Sequence, residues 1–150
     1  MVYNLKSKLM LLQIKVEEAK VRGCILDQHQ RLVENKGTDA DANVAYKVIF
    51  NVMHGEIKEY ADSMFQSFSK LKYIYDCLER VASVSKTGVE YFESKFNAEY
   101  SENTKMWNNV QELCSQIKCL DKEVNGQQSE KETGVYEYDD YEDYDFIANP

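Results

Sequence analysis

Apolar side chains recur from Leu5 to Val33 in alternating steps of four and three. The series is Leu5, Leu9, Leu12, Val16, Ala19, Leu26 and Val33, and Gly23 and Gln30 stand at the two positions it skips. Such steps fall just short of the 3.6-residue turn, so the side chains form one seam along a slightly underwound helix. A strand cannot carry this pattern, because its side chains change face at every residue. Met10, Ile14, Val21, Cys24 and Ile25 are expected beside the seam, widening it as in a helix packed against two neighbours. Asn35-Lys36-Gly37 supplies a stop, since glycine tolerates the left-handed conformation that closes a helix. The first helix is therefore predicted over residues 3–34, about 48 Å long.

A second helix is predicted over 39–84. Thr38 can cap its free N–H groups, and Asp39 and Asp41 suit the positive end of its dipole. Tyr46, Ile49, Met53, Ile57, Tyr60, Met64, Phe68, Leu71, Tyr75, Leu78 and Ala82 form its apolar face, broadened by Phe50, Phe65, Ile74 and Val81. Gly55 is its weak point, where a bend would fold the chain into a compact four-helix bundle. After a break at 83–88, Thr87-Gly88-Val89-Glu90 has the form of a capping box. The third helix is predicted over 88–125, ending at Asn125-Gly126. In its second half Met106, Val110, Leu113, Ile117, Leu120 and Val124 step four-three-four-three-four without a miss.

The expected fold is thus all-α: an elongated up-down-up bundle of three long helices with coiled-coil-like packing. Six glycines and one proline are too few for a fold built on turns. The second helix, about 69 Å long, would outrun the first by about 20 Å. That overhang would leave an apolar face for a partner helix or a second copy, unless the chain bends at Gly55.

Charge divides the chain differently. The net charge is −8, yet residues 1–125 carry 17 basic and 18 acidic groups, leaving a body of −1. Residues 126–150 hold Lys131 against eight acids, a balance of −7. Within the body, residues 1–36 sum to +3 and residues 87–125 to −3. The tail packs Tyr136, Tyr138, Asp139, Asp140, Tyr141 and Tyr144 among further acids, followed by Phe146. It cannot bury enough apolar surface to offset its ordering entropy and reads as disordered. Its carboxylates and rings suit a basic protein surface, and its tyrosines are candidates for phosphorylation. It could also fold onto the basic first helix of its own chain.

Chemistry is harder to find. His29 and His54 fall on different predicted helices, in polar surroundings, and neither sits in a metal-binding or triad-like frame. The glycines are isolated, so there is no phosphate loop. Cys114 and Cys119 diverge by about 140° around a helix, too far to share a metal. Cys24, Cys77, Cys114 and Cys119 read as reduced thiols. Glu18/Arg22, Asp27/Arg31 and Asp76/Arg80 sit four apart and read as solvated helix faces. No catalytic residue, cofactor or metal site is expected, and a near-neutral body disfavours direct nucleic-acid binding. No apolar run is long enough to span a membrane. With no export signal, the expected location is cytoplasmic, or nuclear, and not secreted.

Three long helices with short connections are similar in architecture to small subunits of cytoskeletal and vesicle-tethering assemblies. That likeness carries no residue-level motif. The heptad spacing, stricter than a globular core requires, sets the expectation of a non-enzymatic subunit or adaptor of an intracellular assembly, working by helix-to-helix association with itself or another protein. Leu5, Leu9, Leu12, Val16, Met106, Val110, Leu113, Ile117, Leu120 and Val124 are the candidate contact residues. The alternative is a regulator whose acidic tail mimics a polyanion and blocks a basic partner surface.

Overall fold

The computed structural model of the chain describes residues 2–35 and 41–132, with side chains over 4–34 and 44–124. It holds three helices, α1 (Val2–Asn35), α2 (Asp41–Val81) and α3 (Lys86–Glu132), and no strand among the described residues. Pairs across the interfaces set the directions. Gln30 meets Asn51 and Asp27 meets Lys58, so numbers fall along α2 as they rise along α1. Ser67 with Glu99, Met64 with Asn103, and Tyr46 with Asp121 repeat that antiparallel order between α2 and α3. The bundle is up-down-up with α2 as the shared partner. The backbones of α1 and α3 stay mostly apart. Long side chains bridge them instead, with Lys8 Nζ 5.5 Å from the Tyr100 ring and the Arg22 guanidinium 5.0 Å from the Trp107 ring.

The seam of α1 is its buried face. Leu5, Leu12, Val16, Ala19, Leu26 and Val33 are buried, and Leu9 packs partly against them. The two skipped positions are met from α2. The stem of Lys58 passes Gly23, its Cγ 3.7 Å from where a Cβ would stand, and Gln30 donates to Asn51 Oδ1 at 2.9 Å. Phe50, Ile57, Met64, Leu71 and Leu78 from α2, and Phe96, Trp107, Val110 and Ile117 from α3, complete the core. Asn103 is wholly buried and donates its amide to Met64 O at 3.0 Å, a polar pin that fixes the α2–α3 register.

Several details differ from the sequence reading. Helix α2 runs unbroken through Gly55, so the four-helix alternative does not form. It stops at Val81, short of residue 84, because the Val84 and Ser85 N–H groups both turn back to Val81 O at 3.0 Å. Ala82, expected on the apolar face, is exposed in that turn. The cap of α3 is Ser85, whose Oγ accepts the Gly88 N–H at 2.9 Å, and Thr87 lies inside the helix instead of capping it. Space is tight at Gly88, where a Cβ would stand 3.1 Å from Ser85 Oγ and 3.2 Å from Val81 Cγ2.

Helix α3 also passes Asn125-Gly126 and continues to Glu132. One interior glycine costs only about 1 kcal/mol, and the Gln, Glu and Lys that follow are good helix formers. At 1.5 Å per residue, the 34 residues of α1 and 41 of α2 differ in length by about 10 Å, half the overhang expected. The Lys36-Gly37 stop, the Thr38 cap and the tail motif Tyr136, Tyr138, Asp139, Asp140, Tyr141, Tyr144 and Phe146 lie outside the described residues.

Candidate functional site

One end of the bundle gathers polar groups from all three helices. Tyr46 on α2 donates to Asp121 Oδ1 on α3 at 3.3 Å, and its hydroxyl lies 3.0 Å from His29 Nε2 on α1. Phe50 is the hub beneath them, its ring stacked between Tyr46 at 5.9 Å and His54 at 5.7 Å, with His29 tilted against it at 5.2 Å. The period of α2 explains the stack, since Tyr46, Phe50 and His54 stand four apart on one face. His54 Nε2 lies 2.6 Å from Asp27 Oδ1, which Lys58 also contacts at 3.2 Å. Burial alone would raise the Asp27 carboxyl. The hydrogen bonds and charge of Lys58 and His54 outweigh it and hold the group below its ordinary 3.8. The polar sequence neighbours suggested solvated histidines, yet His54 is buried and His29 half-buried, each with a polar partner and a face against Phe50. They close an aromatic layer.

A second polar device lies nearer mid-bundle. Arg22 and Glu18, expected on a solvated face, are both buried, with Nη2–Oε1 at 3.0 Å and the guanidinium over Trp107. The signal was present in the lone Trp and a cation at a position flanking the seam, but only the third helix brings them together. Farther along, burial holds the Tyr75 and Tyr100 hydroxyls protonated above their ordinary value, helped at Tyr75 by Glu79 and Asp76.

The imidazoles and carboxylates are engaged with one another; His54 is buried, while Asp27 and His29 keep part of their surface in solvent. A shallow groove of about 220 Å³ between α2 and α3 is lined by Glu56, Tyr60, Asn109, Glu112, Leu113 and Gln116, with no nucleophile beside a base. Among the described residues no cluster of three His, Cys, Asp or Glu could hold a metal ion. Cys114 is buried and Cys119 exposed, as their angular separation requires. No helix among the described residues is long and apolar enough to cross a membrane.

The outer surface carries a clearer feature. Met10, Ile14 and Val21 are 61%, 48% and 46% exposed, and Leu32 is 63% exposed. Steps of four, seven and eleven keep all four on one face of α1. Of the residues expected to widen the seam, only Ile25 packs against the core; Met10, Ile14, Val21 and Cys24 face solvent. The reason is the separation of α1 from α3, which leaves the outer half of α1 without a neighbour. Val44, Val48 and Val52 form a shorter exposed row on α2, while Ile49 and Phe65, expected in its apolar face, also point outward.

No protein-family model, curated protein or solved structure matches this chain. The surface must be read from its own chemistry. Of the ten candidate contact residues, Leu5, Leu12, Val16, Val110, Ile117 and Leu120 are buried in the chain's own core, and Leu9, Met106, Leu113 and Val124 pack against it. The heptad seams of α1 and α3 are satisfied within the molecule. The apolar side chains left exposed include the outer face of α1, where Lys6, Lys20 and Arg31 are also exposed, and the valine row of α2.

Proposed function

We propose that this chain is a non-enzymatic, protein-binding helical subunit or adaptor, such as a cytoskeletal-type assembly uses. It binds through the outer face of α1. One observation carries the reading: Met10, Ile14, Val21 and Leu32 are exposed on one face of one helix. Single exposed apolar residues are ordinary, whereas an aligned row of four is the pattern by which one helix receives another. Lys6, Lys20 and Arg31 border the row, with Glu17 the one exposed acid among them. The partner that fits is a helix whose apolar stripe is edged by carboxylates.

Affinity purification of the full chain tests this, with two full-length variants beside the wild type. Ile14→Glu combined with Val21→Glu is expected to lose the partner at least tenfold while its unfolding midpoint stays within error. A chain with Asp139, Asp140, Asp143 and Asp145 changed to Asn is expected to keep it. Retention of the partner by the α1 variant would overturn the proposal. Loss only from the tail variant would favour the polyanion mimic instead, which the −7 balance of residues 126–150 supports. Sedimentation at several concentrations reports whether the partner is a second copy.

A further inference from the structure

The chain carries a segment with the chemistry just assigned to the partner, and the bundle releases it within reach of the same face. We propose that residues 133–150 fold back along the outer face of α1 in the same molecule and shield it. The proposal rests on the reading of that face as the binding surface and assigns its regulation.

Reach comes first. Tyr46 ties His29 of α1 to Asp121 of α3, which puts those residues at one level of two parallel helices. From that level α3 continues about 16 Å to Glu132, while Val21 lies about 12 Å and Met10 about 28 Å the other way. The return path from Glu132 is thus about 28 Å to Val21 and about 45 Å to Met10. An extended chain covers about 3.3 Å per residue, which carries Tyr141 about 30 Å and Phe146 about 46 Å from Glu132. With a sideways step of at least one helix diameter added, Tyr144 still reaches Val21 and Phe146 reaches Ile14, while Met10 lies beyond them.

Chemistry comes second. Residues 133–150 contain Glu137, Asp139, Asp140, Glu142, Asp143 and Asp145 and no base. The first helix is the basic part of the body, at +3 over residues 1–36, with Lys6, Lys20 and Arg31 exposed on it and Glu17 the one exposed acid between Ile14 and Val21. Tyrosine and phenylalanine rings can cover Ile14 and Val21 while the carboxylates between them meet the cations. Neither other helix offers this combination: residues 37–86 balance to −1 and residues 87–125 to −3. A contact of this kind is weak between separate molecules, yet tethering supplies an effective concentration in the millimolar range. Its charged component weakens with salt.

The test uses a synthetic peptide of residues 133–150 as probe, added to two full-length, isotope-labelled chains. One is the wild type. In the other the tail carries Tyr138→Ser, Tyr141→Ser, Tyr144→Ser, Phe146→Ser, Asp140→Asn and Asp143→Asn. The peptide is expected to bind the variant, to move amide resonances between Lys6 and Cys24, and to bind the wild type at least tenfold more weakly. Raising the salt should weaken binding, and adding Ile14→Ser and Val21→Ser should abolish it. Equal binding to both chains, binding to neither, or shifts confined to α2 and α3 would overturn the proposal. A peptide that binds neither chain leaves the partner-capture result at Ile14 and Val21 standing. Peptide binding with unchanged partner capture would instead remove the proposed function and keep the fold-back.

Discussion

Arg22 is a cation almost wholly enclosed by its own protein, with Glu18 one turn away and the face of Trp107 above its guanidinium. Desolvating an ion pair costs several kcal/mol, so the arrangement is held by having all its partners in place. Arg22→Ala is expected to destabilise the fold by about 3 kcal/mol, because it strips the guanidinium from the buried Glu18. Arg22→Met with Glu18→Gln should recover most of that, since an apolar pair of similar volume replaces a buried ionic one at little net cost. Fluorescence of the one tryptophan reports both unfolding curves. Asp27 acts through pH. Its folded-state pKa lies below the ordinary 3.8, so its stabilisation is complete above that value and is lost as pH falls through the folded one. Urea midpoints should therefore drop below pH 3.8 in the wild type by more than in Asp27→Asn.

Glycines separate what the elements need from what they tolerate. Gly55 sits inside α2, where an added Cβ meets nothing within 4 Å. Gly55→Ala is expected to stabilise by up to about 1 kcal/mol, since alanine restricts the unfolded chain and fits the helix. Gly88 lies in the first turn of α3, pressed between Val81 and the cap oxygen of Ser85. There the same change should destabilise, because the Cβ displaces a cap that contributes about 1 kcal/mol. Thermal unfolding followed by far-ultraviolet circular dichroism should move the two midpoints in opposite directions. The sequence pointed to both places, Gly55 as a weak point and 83–88 as a break. It could not tell a clear Cβ position from a crowded one, because that depends on how the turn folds back on Val81.

At the scale of the molecule, two isoleucines of the same chemistry do different work. Ile117 is wholly buried between helices, while Ile14 is about half exposed on the outside of α1. Ile117→Glu is expected to destabilise by about 4 kcal/mol or more, through an unpaired buried charge and lost packing. Ile14→Glu should stay within about 0.5 kcal/mol of wild type. Paired denaturation curves measure both. The difference arises because three helices of unequal spacing leave one flank of α1 open, and the apolar residues on that flank are then available to another chain.

Three long helices, their approximate limits and the seam of α1 were all legible in the order of residues. Local rules govern them: the 3.6-residue turn places Leu5 beside Leu12 whatever packs on top. The same periodicity marked the heptads of α3 but could not say whether they meet a partner or their own chain, because the spacing of a seam carries no address. Tertiary structure made that choice. By packing α2 against both other helices it buried Val110 and Ile117, drew Arg22 onto Trp107, enclosed His54 beside Phe50 and left Met10, Ile14 and Val21 facing outward. A residue's side of a helix follows from its number; whether that side is covered depends on the neighbours.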